Sequence, residues 1–220
     1  MELRGAGKAG RRLGATREMQ CLDARIAMYT SRTNEARHLY TALLADAPSD
    51  LYALDAYTRL RGTMDDYETA LKKVGAVNEG SDFLAESGFF GDAVVCLNTW
   101  IGNQTAAVEE LARWETPWRS RHAFGMNVGS ARTDLLARSL ACVGRDDDAL
   151  TELEALVKEG YDIDWWWWRA MAVDPAYDGI RSEPRFRAVS DQLKAADAAA
   201  RDRFRARPDL NDADIESLGM

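Results

Sequence analysis

Apolar side chains return every three or four residues along most of this chain. In "NEARHLYTALLADAP" Ala36, Tyr40 and Leu43 fall four and three apart, and "EPRFRAVSDQLKAADAAARDRF" carries Phe186, Val189, Leu193, Ala196, Ala200 and Phe204 as one stripe. Such spacing puts each set on one face of a helix, whereas a half-buried strand needs a period of two. Alternating runs rich in valine or threonine are missing, and 5 prolines interrupt the 220 residues. An all-α fold is predicted.

A longer period runs through the helical one. Ala36 is followed by Tyr40, Leu43 and a helix-ending Pro48, and one period further along stands Ala70 in "MDDYETALKKV". "GNQTAAVEEL" places Gly102 before Ala107, Leu111 and Trp114, and "GRDDDALTEL" places Gly144 before Ala149, Leu153 and Leu156. The pattern of turn glycine, small residue and large residue resembles the second helix of a tetratricopeptide (TPR) repeat, a unit of about 34 residues. The resemblance implies a TPR-like α-solenoid of antiparallel helix pairs, with degenerate repeats over 17–50, 51–84, 88–121 and 130–163. A basic flexible leader over 1–16 would precede them, "PWRSRHAFG" would be an inserted loop, and a flexible tail would cover 207–220. The usual tryptophan, leucine and glycine of the first helix are mostly absent, Leu43 replaces a small residue, and the second copy lacks its turn glycine. Gly88 and Ala93 offer a second phase, so an irregular helical bundle is the alternative architecture.

Residues 164–206 are expected to form a tryptophan-rich turn and a capping helix. Gly160 would end the fourth pair, Asp164 would cap a short helix, Asp174–Pro175 would force a turn, and Ser182, Glu183 and Pro184 would open the last helix. A terminal repeat exposes an apolar face and needs such a cap. Asp174, Pro175, Asp178, Ile180, Arg181, Pro184, Arg185 and Phe186 resemble the end of TPR modules in bacterial regulators, where the module often follows a winged-helix, adenylate cyclase or kinase domain. No such domain is expected ahead of these repeats. Trp165, Trp166, Trp167 and Trp168 turn by about 100° each on a helix and cannot share one face. They are expected to divide between sealing the seam to the cap and docking a partner.

In TPR arrays the first helix of each pair lines a concave groove. Carried onto this phase, the resemblance puts Cys21, Asp55, Asp92 and Asp134 at one groove position and Arg25, Arg59, Cys96 and Arg138 at another. Tyr29, Tyr52, Phe89 and Trp100 would lie beside them. Arginines in such a groove suit an acidic peptide or a terminal carboxylate. The competing expectation is that Asp55 with Arg59, and Asp134 with Arg138, neutralise each other along wet helix faces, worth a few tenths of a kcal/mol.

Charge and candidate chemistry narrow the function. A net charge of −8 argues against nucleic-acid or anionic-membrane contact, and no stretch approaches a membrane span. Cys21, Cys96 and Cys142 lack CxxC spacing, which suits reduced thiols in a cytoplasmic protein better than disulfides or zinc. "GAGKAG" has the glycine spacing of a dinucleotide loop at Gly5, Gly7 and Gly10 but no preceding strand. Glu35 and His38 lie one turn apart without the second copy that a bridged metal site requires, and neither His38 nor His122 has a local nucleophile signature. No cofactor, metal or catalytic residue is expected. The expected function is a non-enzymatic scaffold binding a peptide or protein segment. The alternatives are a small-molecule-responsive regulatory domain detached from a winged-helix or cyclase effector, and a helical enzyme with an unrecognised site.

Overall fold

The computed structural model describes residues 17–80, 90–123, 131–158 and 167–205, and among these all regular structure is helical. The α-helices are α1 (Arg17–Tyr29), α2 (Thr33–Asp46), α3 (Leu51–Thr58), α4 (Met64–Glu79), α5 (Gly91–Trp100), α6 (Gln104–Ala123), α7 (Ala131–Cys142), α8 (Asp146–Lys158), α9 (Trp167–Val173) and α10 (Pro184–Arg205). A 3₁₀ turn, Pro175–Tyr177, follows α9. The first eight helices form four pairs, each helix packed on its partner across a short turn. Neighbouring pairs touch through α2 with α3, α4 with α5, and α5 and α6 with α7. Then α9 returns to pack on α1 as well as on α10, which brings the segment after the fourth pair back to the first helix.

Three of the four turns close in the same way. Ser31, Gly102 and Gly144 have φ of +59°, +84° and +78°. The next amide in each case, of Arg32, Asn103 and Arg145, donates to a carbonyl five residues back, on Ala27, Asn98 and Leu140, at 2.8–2.9 Å. This is the Schellman closure, which satisfies an orphan carbonyl and favours glycine at the left-handed residue. Ser31 holds that conformation with a Cβ, at a cost that glycine avoids. Ser31→Gly is therefore expected to raise stability by about 0.5–1 kcal/mol, read as a higher urea midpoint. The turn between α3 and α4 uses other chemistry: Thr63 and Asp66 cap α4 reciprocally, with the Thr63 amide donating to Asp66 Oδ2 at 2.8 Å.

Five residues after each left-handed turn stands a buried alanine. Ala36, Ala107 and Ala149 are fully buried and Ala70 is 2% exposed, where a larger side chain would force the helices apart. Ala149→Trp and Ala36→Trp are each expected to cost about 1–3 kcal/mol or more through overpacking, measurable as a lowered thermal midpoint. Around these crossings lie two apolar clusters. One joins α1–α4 with Phe90, Ala93 and Leu97, and the other joins Val95 to Leu136, Leu140, Leu153, Leu156, Tyr177, Ile180 and Phe186. Helix α5 belongs to both. Its Gly91 admits Trp114 so closely that a Cβ there would lie 2.8 Å from the indole.

The last helix starts at Pro184, and it buries Phe186, Val189 and Leu193 while Ala196 and Ala200 stay exposed. Among the described side chains its apolar stripe is thus covered at Phe186, Val189 and Leu193 and open at Ala196 and Ala200. The C-terminal motif residues mainly fasten this region. Arg181 donates to the carbonyls of Met171, Ala172 and Asp174, closing the end of α9, and Arg185 grips Glu154 at 2.7 and 2.8 Å, tying α10 to α8.

Two expectations are corrected. Residues 117–123, expected within an inserted loop, continue α6 to Ala123. Cys96 and Cys142 are not reduced thiols but a disulfide between α5 and α7, whose Cα atoms lie 5.2 Å apart. Separated by 46 residues, they carry no local spacing signal. Side-by-side packing of the two helices brings them within the range a disulfide requires. Cys21, half-buried on α1, is not part of a disulfide. Among the described residues no helix is long and apolar enough to cross a membrane.

Candidate functional site

The densest polar chemistry among the described residues is inside the fold, where α3, α5 and α7 meet the segment after α9. Helix α3 stops at Thr58 and leaves Arg59 as its C-cap, pointing inward at 8% exposure. Asp92 sits in the first turn of α5 at 1%, and Asp134 and Arg138 lie one turn apart on α7 at 3% and 0%. Asp174 is fully buried because it caps the 3₁₀ turn, accepting from the amide of Ala176 at 2.9 Å.

Arg138 uses its whole fork. Nε donates to Asp174 Oδ2 at 2.9 Å, Nη1 to Asp92 Oδ2 at 2.8 Å, and Nη2 to the carbonyl of Thr58 at 3.2 Å. Arg59 reaches four carboxylates, Asp134 at 3.1 Å, Asp55 at 3.3 Å, Asp174 at 3.4 Å and Asp92 at 3.6 Å. Tyr177 donates its hydroxyl to Asp134 Oδ1 at 2.5 Å. The Arg138 guanidinium also lies 5.7 Å from the ring centre of Trp100, within cation–π range. One turn beyond Asp92 and Arg138, on the same two helices, stand Cys96 and Cys142, so the buried ion pair and the disulfide are parallel links between α5 and α7.

Burial opposes charge on both arginines, and the carboxylates outweigh it. Asp174 and Asp92 push Arg138 above its ordinary pKa, and Asp55, Asp134, Asp92 and Asp174 hold Arg59 well above it. Burial, reinforced by Asp134 and Asp174, likewise holds the Tyr177 hydroxyl in its protonated form. Asp92 is shifted up, because burial outweighs the help of Arg138 and Arg59 while Asp55 adds repulsion. Such a network binds and orients a carboxylate. Among the described residues no group of three or more His, Cys, Asp or Glu is placed to hold a metal ion.

The groove residues named from sequence fall into two sets. Asp55, Arg59, Asp92, Asp134 and Arg138 do come together, but against residues 174–177 of the same chain. Arg138 is closed to any external partner, and the expected Asp134–Arg138 pairing on a wet face gives way to contacts with Asp92 and Asp174. Towards the N-terminal side Arg25, Tyr29 and Asp55 are half-buried and Tyr52 is 75% exposed. Arg25, Arg59 and Asp55 act on the Tyr29 hydroxyl, whose pKa burial pushes up to about 12. Trp100 is half-buried and stacks, tilted, on Tyr67 with ring centres 4.8 Å apart. His38 is exposed on α2, and Glu35 pairs with Arg32 at 2.6 Å. Phe89, Gly160, Asp164, Trp165 and Trp166 lie outside the described residues, as do the side chains of Trp167, Trp168, His122 and Phe204.

Asp174 and Tyr177 are the members that sequence reasoning missed. The motif around Asp174–Pro175 signals a turn, and nothing local in it shows that the turn packs against α7. Compared with models of known protein families, with curated proteins and with solved structures, the chain matches none.

Proposed function

We propose that this chain is a non-enzymatic interaction scaffold of TPR-like helix pairs, binding a carboxylate-bearing peptide or protein segment along its first helices. The observation that supports it is the convergence of Arg59 and Arg138 on Asp174 at 3.4 and 2.9 Å. Helices of two separate pairs grip an acidic, aromatic turn through arginine forks, the chemistry expected of a groove for acidic segments. Since residues 174–177 fill one side, a partner engages the other, where Arg25, Tyr29, Tyr52 and Asp55 remain accessible. A regulatory or docking role, as in the modules that its C-terminal motif resembles, belongs to the same proposal.

The test is peptide selection against the full chain, followed by titration into wild type, R25A and Y52A. Saturable binding of carboxylate-containing peptides, weakened at least tenfold in both variants, is expected. Peptides that bind all three proteins alike, or an empty selection, would rule the proposal out. The proposed cytoplasmic setting has a separate test, because disulfides persist mainly in oxidising compartments. Thiol trapping in intact cells should find Cys96 and Cys142 reduced if the protein resides there, and bridged as in this structure if it resides in an oxidising compartment.

A further inference from the structure

We propose that Asp92 carries a proton on Oδ1 in the folded protein, and that the seating of residues 174–177 against α5 and α7 is what puts it there. The inference is independent of the binding function. It begins with a charge count: the side chains of Asp92, Asp134 and Asp174 are 0%, 4% and 0% exposed, against two guanidiniums, Arg59 and Arg138, while Asp55 is 32% exposed and partly solvated. One buried carboxylate is in excess.

Hydrogen bonding identifies it. Both oxygens of Asp174 accept, Oδ2 from Arg138 and Arg59 and Oδ1 from the Ala176 amide; both oxygens of Asp134 accept, from Arg59 and Tyr177. Asp92 accepts from Arg138 on Oδ2, but its buried Oδ1 has no hydrogen-bond partner among the described residues. An ionised oxygen left so is costly, and protonation lowers the cost by removing its charge. The charged groups acting on Asp92 are Arg138 from α7 at 2.8 Å, Arg59 from the α3 end at 3.6 Å and Asp55 on α3, with Asp134 and Asp174 bound to the same two guanidiniums; on its own helix Cys96 is locked in the disulfide. Without Asp174 the remaining charges pair one to one, Arg59 with Asp134 and Arg138 with Asp92. Arrival of Asp174 on the same two guanidiniums creates the surplus, so seating the segment takes up a proton. Burial as the main cause of the upward shift at Asp92 agrees with this.

The sign follows. With the proton bound in the folded chain and absent from the unfolded one, stability is full below the ordinary carboxylate pKa and falls as pH rises towards the folded value. Acid tightens the segment and alkali loosens it. The experiment compares urea unfolding of the full-length wild type and D92N from about pH 5 to about pH 8, where one proton corresponds to about a tenfold change in the folding constant per pH unit. The wild type is expected to weaken against D92N by that slope. Infrared difference spectra, wild type minus D92N, should show the carbonyl stretch of a protonated carboxyl at neutral pH, and D174N should lose it as Asp92 ionises. Parallel pH profiles or a missing band would overturn the proton, and a band retained in D174N would overturn its coupling to the segment.

Discussion

Arg138→Met is expected to destabilise the protein by about 3–5 kcal/mol, the usual result of removing one partner from a buried ion pair. Methionine fills comparable space, so little of this loss comes from packing. It comes from Asp92 and Asp174, both with fully buried side chains, which lose a shared donor and leave Arg59 facing two buried carboxylates and the Asp92 carboxyl group. The carbonyl of Thr58 loses its donor as well. Arg138→Lys should recover only part of the stability, because a single ammonium cannot reproduce a fork that serves three acceptors from three nitrogens. Urea denaturation of the three proteins at neutral pH is the measurement. A methionine variant within about 1 kcal/mol of wild type would mean that the network contributes little, and that apolar packing alone keeps the segment in place.

Loss of the disulfide is the second large effect. Bridging residues 46 apart restricts the unfolded chain, and in the chain-entropy view a loop of that length contributes about 4 kcal/mol. Cys96→Ala with Cys142→Ala, or reduction of the wild type, should lower stability by that order, which in a chain of this size is about 8–16 °C in the thermal midpoint. The folded form should persist, since Val95, Leu136 and Leu140 stay packed between the same helices. Identical melting of oxidised and reduced protein would indicate that the unfolded chain gains little freedom when the bond opens.

These two features are the ones that sequence reasoning reached least. Helices were legible because their signal is local: the spacing of Ala36, Tyr40 and Leu43, or of Phe186, Val189 and Leu193, states which face is buried. Turns at Gly102 and Gly144 were legible for the same reason, while Ser31 escaped because a serine in a left-handed turn carries no compositional mark. Arg138 illustrates the limit. Its i,i+4 neighbour Asp134 suggested a surface pair, yet its carboxylates come from 46 and 36 residues away. No periodicity records such partners. The expected phase puts Cys21, Asp55, Asp92 and Asp134 at one position, but that spacing does not distinguish pairs on a wet helix face from a buried network. Local spacing cannot anticipate that residues 174–177 of the same chain bind Arg138 and Asp134.

Because α9 returns to α1 and Asp174 bonds to Arg59 and Arg138 together, the number of helix pairs is no longer a free variable. A linear repeat array lengthens or shortens by whole units, since each touches only its neighbours. Here an inserted or deleted pair would shift Arg59 relative to Arg138 by one or two interaxial distances of about 8–10 Å each, and one aspartate could not span both. An added or removed pair between α3 and α7 would therefore break the Asp174 contacts, whereas a longer turn would leave them in place.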